Sequence, residues 1–205
     1  MTLHNALANS ELHEDKGAST ATDMQAYVAN GSGSGEWASP VVEVVGTWDY
    51  STSVSSIDFE GLGDYAILQI DLVGVTLASN TDQYIFGRVG SDSGFVSSSV
   101  YHSSYWSSNS NGTVVATGIP LGYHRNASPA SGLNFSSIFL TNFNIGRYKT
   151  ACSQTSFDES TTTANGFYHW YTFIRNNSAM NKFQVVTGSS FTGGSIVISG
   201  YRYKV

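Results

Sequence analysis

Tyr65-Ala66-Ile67-Leu68-Gln69-Ile70-Asp71-Leu72-Val73 alternates side chains with a period of two. In an extended chain Ile67, Gln69 and Asp71 face one side while Leu68, Ile70 and Leu72 line the other, so the second set belongs in a core. Working outward, residues 41–50 and 55–59 read as strands before it. Residues 83–89, 113–117, 136–145, 147–151, 166–175, 183–187 and 195–203 read as strands after it. With 21 glycines, 13% aromatic residues and only 12% charged residues, the composition suits short strands and tight turns better than amphipathic helices. The expected fold is all-β: an antiparallel β-sandwich of jelly-roll type, preceded by an extended N-terminal arm.

Between the strands, residues 91–111 are rich in Ser, Asn and Gly and embed Phe95, Tyr101, Tyr105 and Trp106, which reads as an aromatic-bearing surface excursion. Residues 118–132 carry turn chemistry, and 153–165 read as a polar loop. The run Gly166-Phe-Tyr-His-Trp-Tyr-Thr-Phe-Ile-Arg175 has aromatics at both parities, so it suits a strand buried on both faces or lying in an interchain contact.

Gly31-Ser-Gly-Ser-Gly-Glu-Trp37 separates a polar arm, residues 1–37, from the body, residues 38–205. Its alternate glycines leave the backbone free to turn, which reads as a hinge. The arm has Leu3 and Leu7 at helical spacing and a short strand signal over residues 25–29. It is too poor in apolar side chains to fold alone, so it is expected to dock on something else through Leu3, Leu7, Leu12, Tyr27 and Trp37.

A net charge of −6 with nine scattered Lys and Arg leaves no basic stripe, which excludes nucleic acid and an anionic membrane surface as expected partners. Cys152 is the only cysteine, so no intrachain disulfide can form. No segment approaches the roughly 18–20 apolar residues of a spanning helix, and the first residues lack a secretory pattern.

Ser55-Ser-Ile-Asp-Phe-Glu-Gly-Leu-Gly-Asp-Tyr65 resembles the opening of a β-sandwich domain recurrent in tailed-bacteriophage virion proteins. Phe191-Thr-Gly-Gly-Ser-Ile-Val-Ile-Ser-Gly-Tyr201 is similar to that family's last strand, and residues 16–37 resemble a phage structural-protein segment. The resemblance implies a virion surface location after synthesis in the host cytoplasm, a homotrimer, and no cofactor. The family includes capsid decoration (cement) proteins, head fibres and tail fibres. The implied function is a structural one, a decoration or head-fibre protein whose arm binds the major capsid protein; the alternative is a tail-fibre or receptor-binding module for host surface glycans.

The chemistry-bearing residues point away from an enzyme. His4, His13, His102, His124 and His169 show no ligand spacing, so no metal site is expected. Gly90-Ser-Asp-Ser-Gly places Asp92 where a nucleophilic serine would stand. Asp58, Glu60 and Asp64 could form an acid pair for glycoside hydrolysis, but their Gly-rich setting reads as a turn. Tyr101, Tyr105, Trp106, Tyr168 and Trp170 are the candidate rings for a glycan or a subunit contact. Packing between subunits is preferred over sugar stacking, so any glycan binding is expected to be weak.

Overall fold

A computed structural model describes residues 26–29, 35–38, 42–79, 83–96, 100–107, 111–124, 134–157 and 166–202. The chain divides into two compact units, Met1–Val41 and Val42–Val205. In the first, β1 (Ala26–Ala29) and β2 (Gly35–Ala38) form an antiparallel pair in which Tyr27 is opposite Trp37. Leu3, Leu7, Leu12 and residues 31–34 of the expected hinge lie outside the described residues, while its remaining residues, 35–37, belong to β2.

The second unit is an all-β antiparallel sandwich. Its strands are β3 (Val42–Asp49), β4 (Ser56–Phe59), β5 (Ile67–Leu77), β6 (Gln83–Ser91), β7 (Gly94–Phe95), β8 (Tyr101–Ser107) and β9 (Asn111–Ala116). They continue with β10 (Ile119–His124), β11 (Asn134–Thr141), β12 (Lys149–Phe157), β13 (Gly166–Ile174), β14 (Lys182–Thr187) and β15 (Phe191–Tyr201). One sheet has eight strands in the order β3-β15-β5-β11-β12-β13-β8-β9. The other has five, in the order β10-β6-β14-β4 with β7 on β6. The chain crosses repeatedly between the sheets: β3, β5, β8, β9, β11, β12, β13 and β15 belong to the large sheet, and β4, β6, β7, β10 and β14 to the small one.

The core follows from strict alternation. Leu68, Ile70 and Leu72 of β5, Ile138 and Leu140 of β11, and Ile196 and Ile198 of β15 are fully buried on the inner face of the large sheet. They meet Ile85, Val89, Phe183, Val185, Ile119 and Leu121 from the small sheet. Where β5 and β15 run together, Gly74 and Gly194 both have positive φ at the irregular register, and a Cβ on Gly194 would lie within 2.6 Å of the Gly74 carbonyl. Only glycine permits that approach.

Strand β10 is an edge strand whose second residue is Pro120, which has no N–H to donate, and its register shifts between Pro120 and Gly122. Hydroxyls of the large sheet satisfy its carbonyls: Ser153 donates to Pro120 at 2.9 Å, Thr155 donates to Leu121 at 3.0 Å, and Ser136 also donates to Leu121. These buried serines and threonines lock β10 onto β11 and β12, which explains polar residues at inward positions.

Four readings of the sequence are corrected. Residues 101–107 are strand β8 inside the large sheet rather than part of a surface excursion. Residues 119–124 form β10, and the segment assigned to a loop from 153 is strand through Phe157. Strand β13 is buried on one face only: Trp170, Thr172 and Ile174 point inward, while Phe167, Tyr171 and Phe173 are exposed.

Candidate functional site

The outward face of the large sheet is built by register. Ile67, Thr141, Thr150, Phe173 and His102 form one row across β5, β11, β12, β13 and β8. Gln69, Phe139, Cys152, Tyr171 and Ser104 form the next. Each residue has the parity opposite to the core, so the period of two that buries Ile138 and Leu140 necessarily presents Phe139.

These rows enclose an open depression of about 570 Å³ lined by Phe139, Tyr171 and Phe173 together with His102, Thr150 and Arg175. Tyr171 is the most exposed of the rings at 61%. Tyr148 extends the aromatic surface, its ring 5.4 Å from that of Phe173 in an edge-on arrangement. Among the described residues no carboxylate lines the depression. Arg175 follows β13, is exposed, and forms no ion pair with a described residue. Its backbone N–H donates to Val100 at 2.9 Å, which fixes the base of the side chain.

Further along the same face, Phe135, Gln154, Phe167 and His169 line a second depression of about 170 Å³. Trp106, 57% exposed, stands beside it with its ring 5.5 Å from Phe167 and 6.1 Å from His169. The face therefore carries rings interleaved with hydroxyls, two amides, two imidazoles and a guanidinium, while its Asp71 carboxylate lies apart on β5 and accepts from the Gln69 amide at 3.0 Å. That combination can stack on flat apolar ligand surfaces and donate hydrogen bonds around their edges.

The rings singled out from sequence go to three places. Trp106 is on the outer face. Tyr105, Tyr168 and Trp170 cluster on the inner side, with Tyr105 4.8 Å and Tyr168 5.6 Å from Trp170. Trp170 is buried, and its Nε1–H has no acceptor among the described residues. Tyr101 is a core residue: its fully buried hydroxyl donates to the Val96 carbonyl at 2.9 Å and accepts from the Val89 N–H at 3.2 Å. Burial pushes its pKa up to about 12. A glycan or subunit contact cannot reach Tyr101 in this fold. Tyr27 and Trp37 are described only as a backbone pair.

Tyr171, Phe173, Phe139 and Arg175 were not singled out as a site. The available signal was their parity, Phe167, His169, Tyr171, Phe173 and Arg175 all falling on one side of a single strand.

Two of the three acids weighed for hydrolysis, Asp58 and Glu60, are engaged elsewhere. Asp58 accepts from the Gln184 amide at 2.8 Å, and Glu60 pairs with Lys182 at 2.9 Å. That pairing, chiefly through the hydrogen bond to Glu60, raises the Lys182 pKa. Glu43 accepts from the Tyr65 hydroxyl and pairs with Arg202 at 2.6 Å, while the guanidinium stands 5.1 Å over the Tyr65 ring. Burial, then the hydrogen bond to Glu43, raises the Tyr65 pKa. No group of three His, Cys, Asp or Glu able to hold a metal occurs among the described residues.

No protein-family model and no curated protein matches the chain. Among solved structures it is similar to a Caenorhabditis elegans galectin, LEC-6, at 15% identity over 77% of this chain and 96% of that one, with a TM-score of 0.31. It is also similar to the CBM40 of a Ruminococcus gnavus IT-sialidase, bound there to alpha2,3 sialyllactose, at 10% identity over 80% and 94% with a TM-score of 0.30. A third is the CBM2 module of the evolved Dit of Lactobacillus casei BL23 phage J-1, at 10% identity over 73% and 70% with a TM-score of 0.20.

Proposed function

We propose that the chain is a non-enzymatic attachment protein of a tailed-phage virion, whose sandwich presents a saccharide-binding face. The virion assignment rests on the resemblance carried by residues 55–65, 191–201 and 16–37. The observation that favours saccharide recognition is the open depression on the large sheet, where exposed Tyr171, Phe173 and Phe139 adjoin His102, Thr150 and Arg175. Pyranose rings offer an apolar C–H face to an aromatic side chain and hydroxyls to polar neighbours, and this lining supplies both kinds of partner. The receptor-binding alternative is thereby preferred over a purely ornamental role on the capsid.

A second reading, in which the chain decorates the head as a homotrimer bound to the major capsid protein, has its own support. Val42, Val44, Val73 and Phe135 add exposed apolar area to the large sheet, and a self-contact could cover them.

A glycan array probed with the purified full chain tests the choice. Binding that is lost in Tyr171→Ala, with the unfolding midpoint unchanged, supports the saccharide face. Absence of binding to any glycan, together with a trimer in light scattering that dissociates in Phe135→Ser, supports the decoration reading instead.

A further inference from the structure

Within the saccharide-binding reading, on which this step rests, the charge pattern of the depression narrows the ligand. Arg175 is exposed at the rim, its backbone is pinned to Val100, and no described carboxylate pairs with its guanidinium. His102 lines the same depression from the neighbouring strand β8, one register row from Ser104. The other side chains present are hydroxyls, a thiol, a methyl group and rings, so among the described residues positive charge is supplied there and negative charge is not. An unpaired guanidinium beside stacking rings is a fork awaiting a planar anion, since two parallel N–H groups match the oxygens of a carboxylate or sulfate.

We propose that the face binds anionic saccharides: the sugar ring stacks on Tyr171 and Phe173 while its acidic substituent is held by Arg175, with His102 as a further donor. The neutral edge of the ring meets Thr150 and Ser104. Stacking sets affinity for sugars in general, and Arg175 sets the preference for acidic ones. Because the chain as a whole carries −6, long-range attraction cannot produce that preference, and it must arise from the local contact.

The test is calorimetric titration of the full chain with three oligosaccharides of equal length: one bearing uronic acids, one sulfated and one neutral. The expected result is roughly tenfold tighter binding of at least one acidic oligosaccharide than of the neutral one, since a charge-assisted bidentate contact is of that order. Arg175→Gln should abolish the preference while retaining neutral binding, Arg175→Lys should keep part of it, and Tyr171→Ala should weaken all three. Which acidic ligand is preferred distinguishes carboxylate from sulfate. Equal binding of all three, unchanged in Arg175→Gln, overturns the anionic preference and leaves the saccharide face standing. No binding of any of them overturns both.

Discussion

Tyr105 and Trp106 are consecutive in β8 yet serve opposite faces of the large sheet: the Tyr105 ring packs 4.8 Å from buried Trp170, and the Trp106 ring stands 5.5 Å from exposed Phe167. The pleat imposes this, because neighbouring side chains of a strand point to opposite sides. A Cβ on Gly112, opposite Tyr105 on β9, would sit 2.8 Å from the Tyr105 ring, so the strand pair is shaped around that ring.

The two rings should therefore respond differently to removal. Tyr105→Ala leaves a cavity against Trp170 and Tyr168 and should cost roughly 2–4 kcal/mol in urea unfolding. Trp106→Ala removes a ring already in water and should cost under about 1 kcal/mol. Similar losses for both would contradict the assignment of faces.

Lys149 is fully buried, and the three N–H groups of its ammonium are shared among four carbonyls, those of Ile145 (3.2 Å), Arg147 (2.9 Å), Asn176 (3.4 Å) and Ser178 (2.6 Å). It ties the turn after β11, where Asn142 takes positive φ, to the loop after β13. Lys149→Met leaves those carbonyls without their donor and should destabilise by about 2 kcal/mol at neutral pH.

Burial also lowers the Lys149 pKa from 10.5 to about 8. Between those values the unfolded chain holds more protons than the folded one, so this residue makes stability rise as pH increases above 8. Urea unfolding from pH 7 to 9.5 should show that rise in the native sequence relative to Lys149→Met. The range stops short of the titration of Tyr101. A flat difference between the two proteins would contradict it.

Gly200 of β15 lies against the Tyr65 ring, which Glu43 and Arg202 hold in place. A methyl group there would be driven into a ring that cannot swing away. Gly200→Ala should cost roughly 1–3 kcal/mol, the range for overpacking, and Gly200→Ala combined with Tyr65→Leu should recover part of it. A destabilisation that the second substitution leaves untouched would place the strain elsewhere.

The all-β class and the central strands were legible because β5 and β14 alternate buried with half-buried residues, a pattern local to a few residues. Strand β8 was not, because its Ser and Asn neighbours mimic loop composition. Its inward serine is satisfied only across the sheet, where Ser103 bonds Thr172 at 2.9 Å. β10 was hidden by Pro120 and Gly122, turn residues tolerated at an edge whose carbonyls distant hydroxyls satisfy. The depression was illegible for a topological reason. Phe139, Cys152, Tyr171 and Ser104 become neighbours only through the order β11-β12-β13-β8, which no local spacing encodes. In β13 aromatics at both parities concealed that one set faces water.

Cys152, partly exposed, is the chain's only cysteine and lines the depression between Phe139 and Tyr171, which makes it a built-in reporter of occupancy. The most direct measurement is its rate of alkylation by iodoacetamide, followed by mass spectrometry, with and without a saccharide that binds the chain. If the large sheet's outer face is the binding face, saturating ligand slows the reaction several-fold, and Tyr171→Ala abolishes the protection. An alkylation rate unchanged under saturating ligand would place the saccharide elsewhere and contradict the central claim.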